Sequence, residues 1–420
     1  MRVLHLVHQY PPQHVGGTEL YTQWLLHELQ RRGHTVALFH RRSAIGNGHE
    51  RRIEAGVEVW TAWNEQITPT NRFLASFGDR SISRAFTQAL KSVHPDLVHI
   101  QHLMGLPVTI VNQLNAAKIP YIVTVHDYWF LCANAQLLTN YDNTLCQGPN
   151  WWLNCARCAL ARAGQEHAAW AAPAVAPLMA IRHNRLRRVL AGARQTIAPT
   201  NFVREIYREV GLPVANMVVI PHGIVVPEVN GETATGRQQP SSKLHVAYIG
   251  GISWQKGVHV LIAAINQLPP EEVFLSIYGD TAAFPDYVAH LKEAVCYDNV
   301  AFAGQVAHAD LGRVLAGADI VAVPSLWYET SSLIIQEAFA AGVPVVASDL
   351  GAMREKVSDG VDGLLAAPGD VSAWRNALLR FLQEPTMRQQ MQAGIGSVRT
   401  VAAHTDDIEA IYCSALNRDK

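Results

Sequence analysis

The sequence predicts an α/β protein built from two Rossmann-like domains. Three observations carry this expectation. The order strand, glycine-containing loop, helix occurs once at residues 3–33 and again at 244–268. Elsewhere, apolar strand-like runs alternate with helical stretches, the pattern of parallel sheets covered on both faces. Finally, the chain has 420 residues, and chains beyond about 250–300 residues tend to split into more than one core. The expected partition is a first domain over 1–225, carrying an insertion at 128–167, a second over 226–395, and a last helical segment over 396–420.

Composition narrows the class. Apolar residues make up 49% and charged ones 16%, so the chain is globular rather than disordered. A net charge of −1 gives no global attraction to nucleic acid or to an anionic membrane, although a local basic patch stays open. There is no apolar run of membrane-spanning length. The opening MRVLHLVHQYPP is too short and too interrupted for an export signal and reads as a strand, so a cytoplasmic location is expected. Stable disulfides are rare there.

Residues 3–7 form the first strand. Gly16-Gly17-Thr18-Glu19 follow, then a helical pattern through Leu20, Trp24, Leu25 and Leu29 that stops near Gly33. Paired glycines before a helix let a ligand approach the backbone, and they equally suit a plain turn. Strands are expected at 35–39, 96–100 and 121–125. The last leads into Thr124-Val125-His126-Asp127. Ligands of open α/β sheets bind beyond the carboxyl ends of the strands, which makes His126 and Asp127 candidates. The plainer reading is an internally bonded histidine.

Residues 128–167 lack clear periodicity and contain Cys132, Cys146, Cys155 and Cys158. A long irregular connection needs something to hold it. Four thiolates around a structural zinc would do so, with the C-x2-C pair chelating one side; buried free thiols or a redox pair are the alternatives. Arg182, Arg185, Arg187, Arg188 and Arg194 lie on an expected helix. They read as a solvated face, or as a peripheral contact with an anionic membrane surface or acceptor. Residues 227–243 are polar and rich in Pro, Gly and Ser, the composition of a linker or surface loop.

The second series opens with a strand at 244–249 and the loop Gly250-Gly251-Ile252-Ser253-Trp254-Gln255-Lys256-Gly257. A lysine at a helix start after such a loop adds a full charge to the helix dipole and suits phosphate. Further strands are expected at 273–278, 300–302, 319–323 and 344–347, with Gly279-Asp280 after the first of them. The strand at 319–323 ends in Pro324-Ser325. A polar loop then carries Glu329, Thr330, Ser331 and Ser332, and a helix starting at Leu333 carries Glu337. Hydroxyls and free N–H groups suit phosphate, and carboxylates suit sugar hydroxyls.

The stretch from Glu329 to Glu337, set in PSLWYETSSLIIQEAFAAGVPVVASDLGAMREKVSDGVDGLLAAPGD, resembles glycosyltransferase family 4, the retaining sugar-nucleotide transferases of the GT-B fold. Lys256-Gly257 and Gly279-Asp280 fall at the family's positions. Gly16-Gly17-Thr18-Glu19, Thr124 to Asp127 and Ile220-Pro221-His222-Gly223 resemble its weaker motifs. The four-cysteine segment is similar to an insertion in a subset of these enzymes. The resemblance implies two domains facing across a cleft, the second holding a nucleoside-diphosphate sugar and the first a glycan, lipid-linked or small-molecule acceptor. The final helix would cross back to the first domain. It implies that Glu337 binds ribose, that Glu329 contacts sugar hydroxyls, and that Lys256 neutralises diphosphate together with Gly251, Gly279, Ser331, Ser332 and Leu333. His126 would lie near the reacting sugar, and the Gly16-Gly17 backbone near the phosphates.

No D-x-D sequence occurs, so neither a metal on the diphosphate nor any other cofactor for transfer is indicated. Gly251 stands where the family commonly has Arg, and His222 where it usually has Asn. A sugar-nucleotide epimerase and a non-catalytic sugar-nucleotide-binding subunit are the alternative readings.

Overall fold

Runs of consecutive apolar residues make strands buried on both faces, and such strands form the centre of two sheets. The computed structural model describes residues 1–12, 16–65, 68–227, 243–384 and 386–417. The chain divides into two units, Met1–Gly223 with Val401–Lys420, and Ile224–Thr400.

The first unit contains β1 (Arg2–Val7), β2 (Thr35–Ser43), β3 (Gly48–Glu54), β4 (Val57–Asn64), β5 (Leu97–Ile100), β6 (Tyr121–Thr124), β7 (Gln195–Ala198) and β8 (Met217–Val219). They form one sheet in the order β3-β4-β2-β1-β5-β6-β7-β8. All neighbours are parallel except β3 and β4. Val3, Leu4, Leu6 and Val7 of β1 are fully buried.

The β3–β4 hairpin was not legible in the sequence. β3 is GHERRIE, a polar strand that alternates between exposed and half-buried positions. Its charges suit a sheet edge, where they discourage pairing with another chain. Helix Leu153–Arg162, inside the cysteine-rich insertion, was also missed. Among its residues only Ala156 is fully buried, and Cys155, Ala159 and Leu160 beside it pack only partly buried, so its apolar stripe is weak.

The second unit contains β9 (Leu244–Ile249), β10 (Val273–Tyr278), β11 (Val300–Gly304), β12 (Ile320–Val323), β13 (Val345–Ser348) and β14 (Gly363–Ala366). Their order is β11-β10-β9-β12-β13-β14, parallel throughout. This is the doubly wound arrangement, and its strand order reverses between β9 and β12. A crevice forms at such a switch point because the connections leave in opposite directions. In the first unit the reversal falls between β1 and β5.

The last helix, Val401–Asn417, packs on helix Gly17–Arg31, and its Ile408, Tyr412 and Ala415 share a core with Tyr21, Leu25 and Leu29. Of the expected linker 227–243, residues 228–242 lie outside the described residues. Among the described residues no helix is long and apolar enough to cross a membrane.

Candidate functional site

In the second unit the loops after β9 and β12 leave neighbouring strands at the switch point. They are joined by a hydrogen bond from the Leu326 amide to the Gln255 carbonyl at 2.8 Å. Gly257 allows this contact. Its φ is +71°, and a Cβ there would stand 1.9 Å from the Pro324 carbonyl oxygen. Gly279, after β10, lies against the first loop in the same way, since its Cβ would stand 2.2 Å from the Gly250 oxygen.

This contact brings Lys256 to Glu329, with Nζ donating to Oε1 at 2.7 Å. Ser325 Oγ at 2.7 Å and Trp327 Nε1 at 3.0 Å donate to the same oxygen. Glu329 is buried. Burial by itself would raise its pKa, but the Lys256 charge and the three hydrogen bonds outweigh it and hold the carboxyl below the usual range. Glu329 is thus a fixed anion whose Oε2 takes no donor from the described residues.

Ser332 sits in the left-handed region at φ +44° and turns the chain into helix Leu333–Ala340. The first amides of a helix have no partner within it, and they point at the space in front of this turn. Ser331 Oγ lies 3.2 Å from Lys356 Nζ. Glu337 is buried one turn into the helix, with Oε1 3.4 Å from His308 Nε2. Lys356, at the end of the short helix Ala352–Lys356, feels both carboxylates. Burial nevertheless pushes its pKa down to about 7, against the upward pull of Glu337 and Glu329. Gly251 is exposed, and a Cβ there would meet no atom within 4 Å.

The expected residues Lys256, Gly279, Glu329, Ser331, Ser332, Leu333 and Glu337 therefore gather at one end of one sheet. Ser325, Trp327, His308 and Lys356 join them without having been anticipated. Lys356 lies in Arg354-Glu355-Lys356, which reads as an ordinary charged helix end; only the fold reveals that it points at Ser331.

In the first unit, His126 and Asp127 follow β6 and bond different partners. His126 is buried, and its Nε2 donates to Gln101 Oε1 at 2.8 Å. Asp127 accepts instead from His102 Nε2 at 3.0 Å and from the Trp129 amide at 2.8 Å. The His-Asp sequence pair is thus no spatial pair. Burial, helped by His102 and His404, takes His126 well below its usual pKa, so it is neutral at pH 7. Its ring lies 4.7 Å from that of Tyr21 and 5.0 Å from that of His222. Tyr21 Oη lies 2.7 Å from His404 Nε2 on the last helix. Gly16 is the N-cap of helix Gly17–Arg31, and a Cβ on it would come within 2.7 Å of Glu19 Oε2.

The zinc expected at the insertion finds no support. Cys132, Cys146, Cys155 and Cys158 all line one cavity and are free thiols. Among the described residues, however, no three His, Cys, Asp or Glu side chains are grouped to hold a metal ion. Cys146 Sγ turns instead to the Gly148 carbonyl at 3.4 Å and to Asn154. The arginine helix also differs from a uniformly solvated face. Arg182 is buried, while Arg185, Arg187 and Arg188 are exposed.

Residues 15–226 match the family model described as Glycosyltransferase Family 4, and residues 243–384 match that described as Glycosyl transferases group 1. The D-inositol 3-phosphate glycosyltransferase of Mycolicibacterium smegmatis is 31% identical over 182 residues, 42% of each chain. The glycogen synthase of Mycobacterium tuberculosis is 30% identical over 188 residues, 44% of each chain. The chain thus spans less than half the length of these curated relatives. Among solved structures, sucrose-phosphate synthase from Thermosynechococcus elongatus aligns over 99% of both chains with a TM-score of 0.74 at 18% identity. HepE from Anabaena in complex with UDP-glucose aligns over 99% of this chain and all of its own, with a TM-score of 0.67 at 21% identity. At these identities the likeness establishes the fold, which is GT-B.

Proposed function

Because the chain belongs to glycosyltransferase family 4, we propose that it transfers a sugar from a nucleoside-diphosphate sugar, held by the second unit, to an acceptor held by the first. One observation carries this reading. At the switch point of a parallel sheet, Lys256 and Lys356, two buried carboxylates and a helix start converge within one loop system. A diphosphate suits the cations and the helix amides, and sugar and ribose hydroxyls suit Glu329 and Glu337.

In the proposed reaction the anomeric C–O bond to the diphosphate breaks, and a bond from C1 to the acceptor oxygen forms on the same face. The acceptor hydroxyl proton passes to the departing phosphate oxygen. The products are a glycoside of retained configuration and a nucleoside diphosphate. Stabilising the leaving group is the protein's main task. Lys256 and the amides before Leu333 do this, with Lys356 as a second cation in a site where Gly251 offers none. Glu329, fixed by Lys256, orients the sugar, and Glu337 with His308 holds the ribose. His126, being neutral, donates or accepts a hydrogen bond rather than carrying charge. The Gly16-Gly17 backbone is assigned to the approach of phosphate.

A panel of nucleotide sugars tests this with the purified chain. Slow release of free sugar and nucleoside diphosphate without acceptor, and with an acceptor a faster release of nucleoside diphosphate accompanied by formation of a glycoside, is the expected result. A new sugar nucleotide would identify an epimerase. Binding without turnover on any acceptor would identify a non-catalytic subunit.

A further inference from the structure

The first unit contains a cavity of about 240 Å³ that the nucleotide-sugar reading does not use. Its walls include Leu74, Met104, Trp129, Leu160 and Met179, with the four cysteines of the insertion between them. Burial raises the thiols of Cys146, Cys155 and Cys158, the last two to about 12 and about 11, so they stay protonated and behave as small apolar groups. The lining is therefore mostly apolar, with Asn134, Asn140 and Asn154 among its polar members, as in sites that take hydrocarbon.

Two arginines, Arg162 and Arg182, are among the lining residues, and of the two only Arg182 is buried. Arg182 is 5% exposed, donates from Nη2 to the Trp129 carbonyl at 2.6 Å, and stacks over the Trp129 ring at 4.8 Å. Among the described residues no carboxylate forms an ion pair with it, and Asp127 acts on it only at longer range. A guanidinium has five N–H donors, and a buried one with so few acceptors is under-compensated.

The cavity also has an informative position. Met104 and Trp129 lie on the loops after β5 and β6, which carry His102, His126 and Asp127. Trp129 packs on His102, with ring centroids 5.7 Å apart. At the rim, Leu74 is half exposed. Trp151 and Trp170, 82% and 81% exposed, flank helix Leu153–Arg162, which supplies part of the wall. Exposed indoles on the segment that supplies this wall suit contact with a micelle or bilayer surface.

We propose that this cavity is the subsite for the apolar chain of an amphiphilic acceptor whose anionic head, a phosphate or a carboxylate, is met by Arg182. The proposal rests on the transferase reading only in calling the amphiphile an acceptor.

The test uses the full chain and calorimetry with dodecyl phosphate, dodecanoate, dodecanol and inorganic phosphate, each below its aggregation limit. One or both of the anionic dodecyl compounds should bind at least tenfold tighter than dodecanol, and the tighter of the two identifies the head. Leu160→Trp, which fills the cavity without touching Arg182, should weaken that binding at least tenfold while leaving unchanged the binding of the nucleotide that the donor panel identifies. Arg182→Lys should retain part of the preference for an anionic head. The proposal is overturned if no dodecyl compound binds saturably, if dodecanol binds as tightly, if inorganic phosphate does so alone, or if Leu160→Trp has no effect. Binding of no nucleotide sugar in the panel, with amphiphile binding intact, would count against the transferase reading and not against the cavity.

Discussion

At the scale of single residues, the site divides into groups that hold and groups that orient. Glu337 reaches into the site from a helix, so Glu337→Ala should weaken nucleotide binding by about 10- to 100-fold, the worth of a hydrogen bond or two to a charged group. Glu329→Ala should mainly lower kcat, by about 100-fold, because it also releases Lys256 from its fixed position. Unchanged kinetics in both would sink the assignment. Lys356 gives a pH signature. Its pKa in the free protein is about 7, and a bound diphosphate favours the ammonium form, so the pKa rises on binding. Above pH 7 nucleotide must therefore bring a proton with it, and affinity should fall by up to about tenfold per pH unit. Calorimetry in two buffers of different ionisation enthalpy should detect this uptake, and Lys356→Met should abolish it. At Gly251 there is open space and no positive-φ requirement, so Gly251→Arg should be tolerated. It should tighten nucleotide binding severalfold, as measured by the same titration.

At the scale of elements, the candidate site of the second unit is held by loop contacts rather than by the strands themselves. Gly257→Ala places a Cβ on the Pro324 carbonyl and forces an alanine into a left-handed conformation, which alone costs about 1–2 kcal/mol. A lowered melting temperature together with a weaker Lys256–Glu329 contact is expected; wild-type stability and wild-type donor KM would argue that the two loops do not depend on this approach. The same elements mark what could be read in advance. The strands around Val321 and Val346 and the helix start at Leu333 were legible, because buried parallel strands are apolar throughout and a turn precedes each helix. β3 was not, because an edge strand has one solvated side and no core to advertise. Helix Leu153–Arg162 escaped notice because it faces a cavity and solvent more than a packed core. The insertion's four cysteines were legible as a group. Their use as the wall of a cavity was not, since the spacing that suggests a metal also fits a redox pair or free thiols.

At the scale of the whole molecule, the last helix belongs to the first unit although it follows the second in sequence. Ile408 and Tyr412 are fully buried there, and Tyr412 Oη lies 2.7 Å from His99 Nδ1 in the centre of the sheet. Ending the chain after Thr400 uncovers this core, so the first unit should lose several kcal/mol of stability. Thermal unfolding should then split into two transitions, with the one raised by the nucleotide that the donor panel identifies little changed. A single unshifted transition would contradict the packing described.

By itself the sequence determined the two-unit α/β class and most strands, together with the cluster from Lys256 to Glu337. These follow from local physics, namely apolar runs, glycine before helices, and charges at strand ends. The tertiary structure alone decided that Gly257 meets Pro324, that Lys356 joins the site, that His126 bonds Gln101 rather than Asp127, and that Arg182 is buried. Each of these depends on strand order and on which way a side chain leaves its strand, and such long-range pairings leave no periodic trace along the chain.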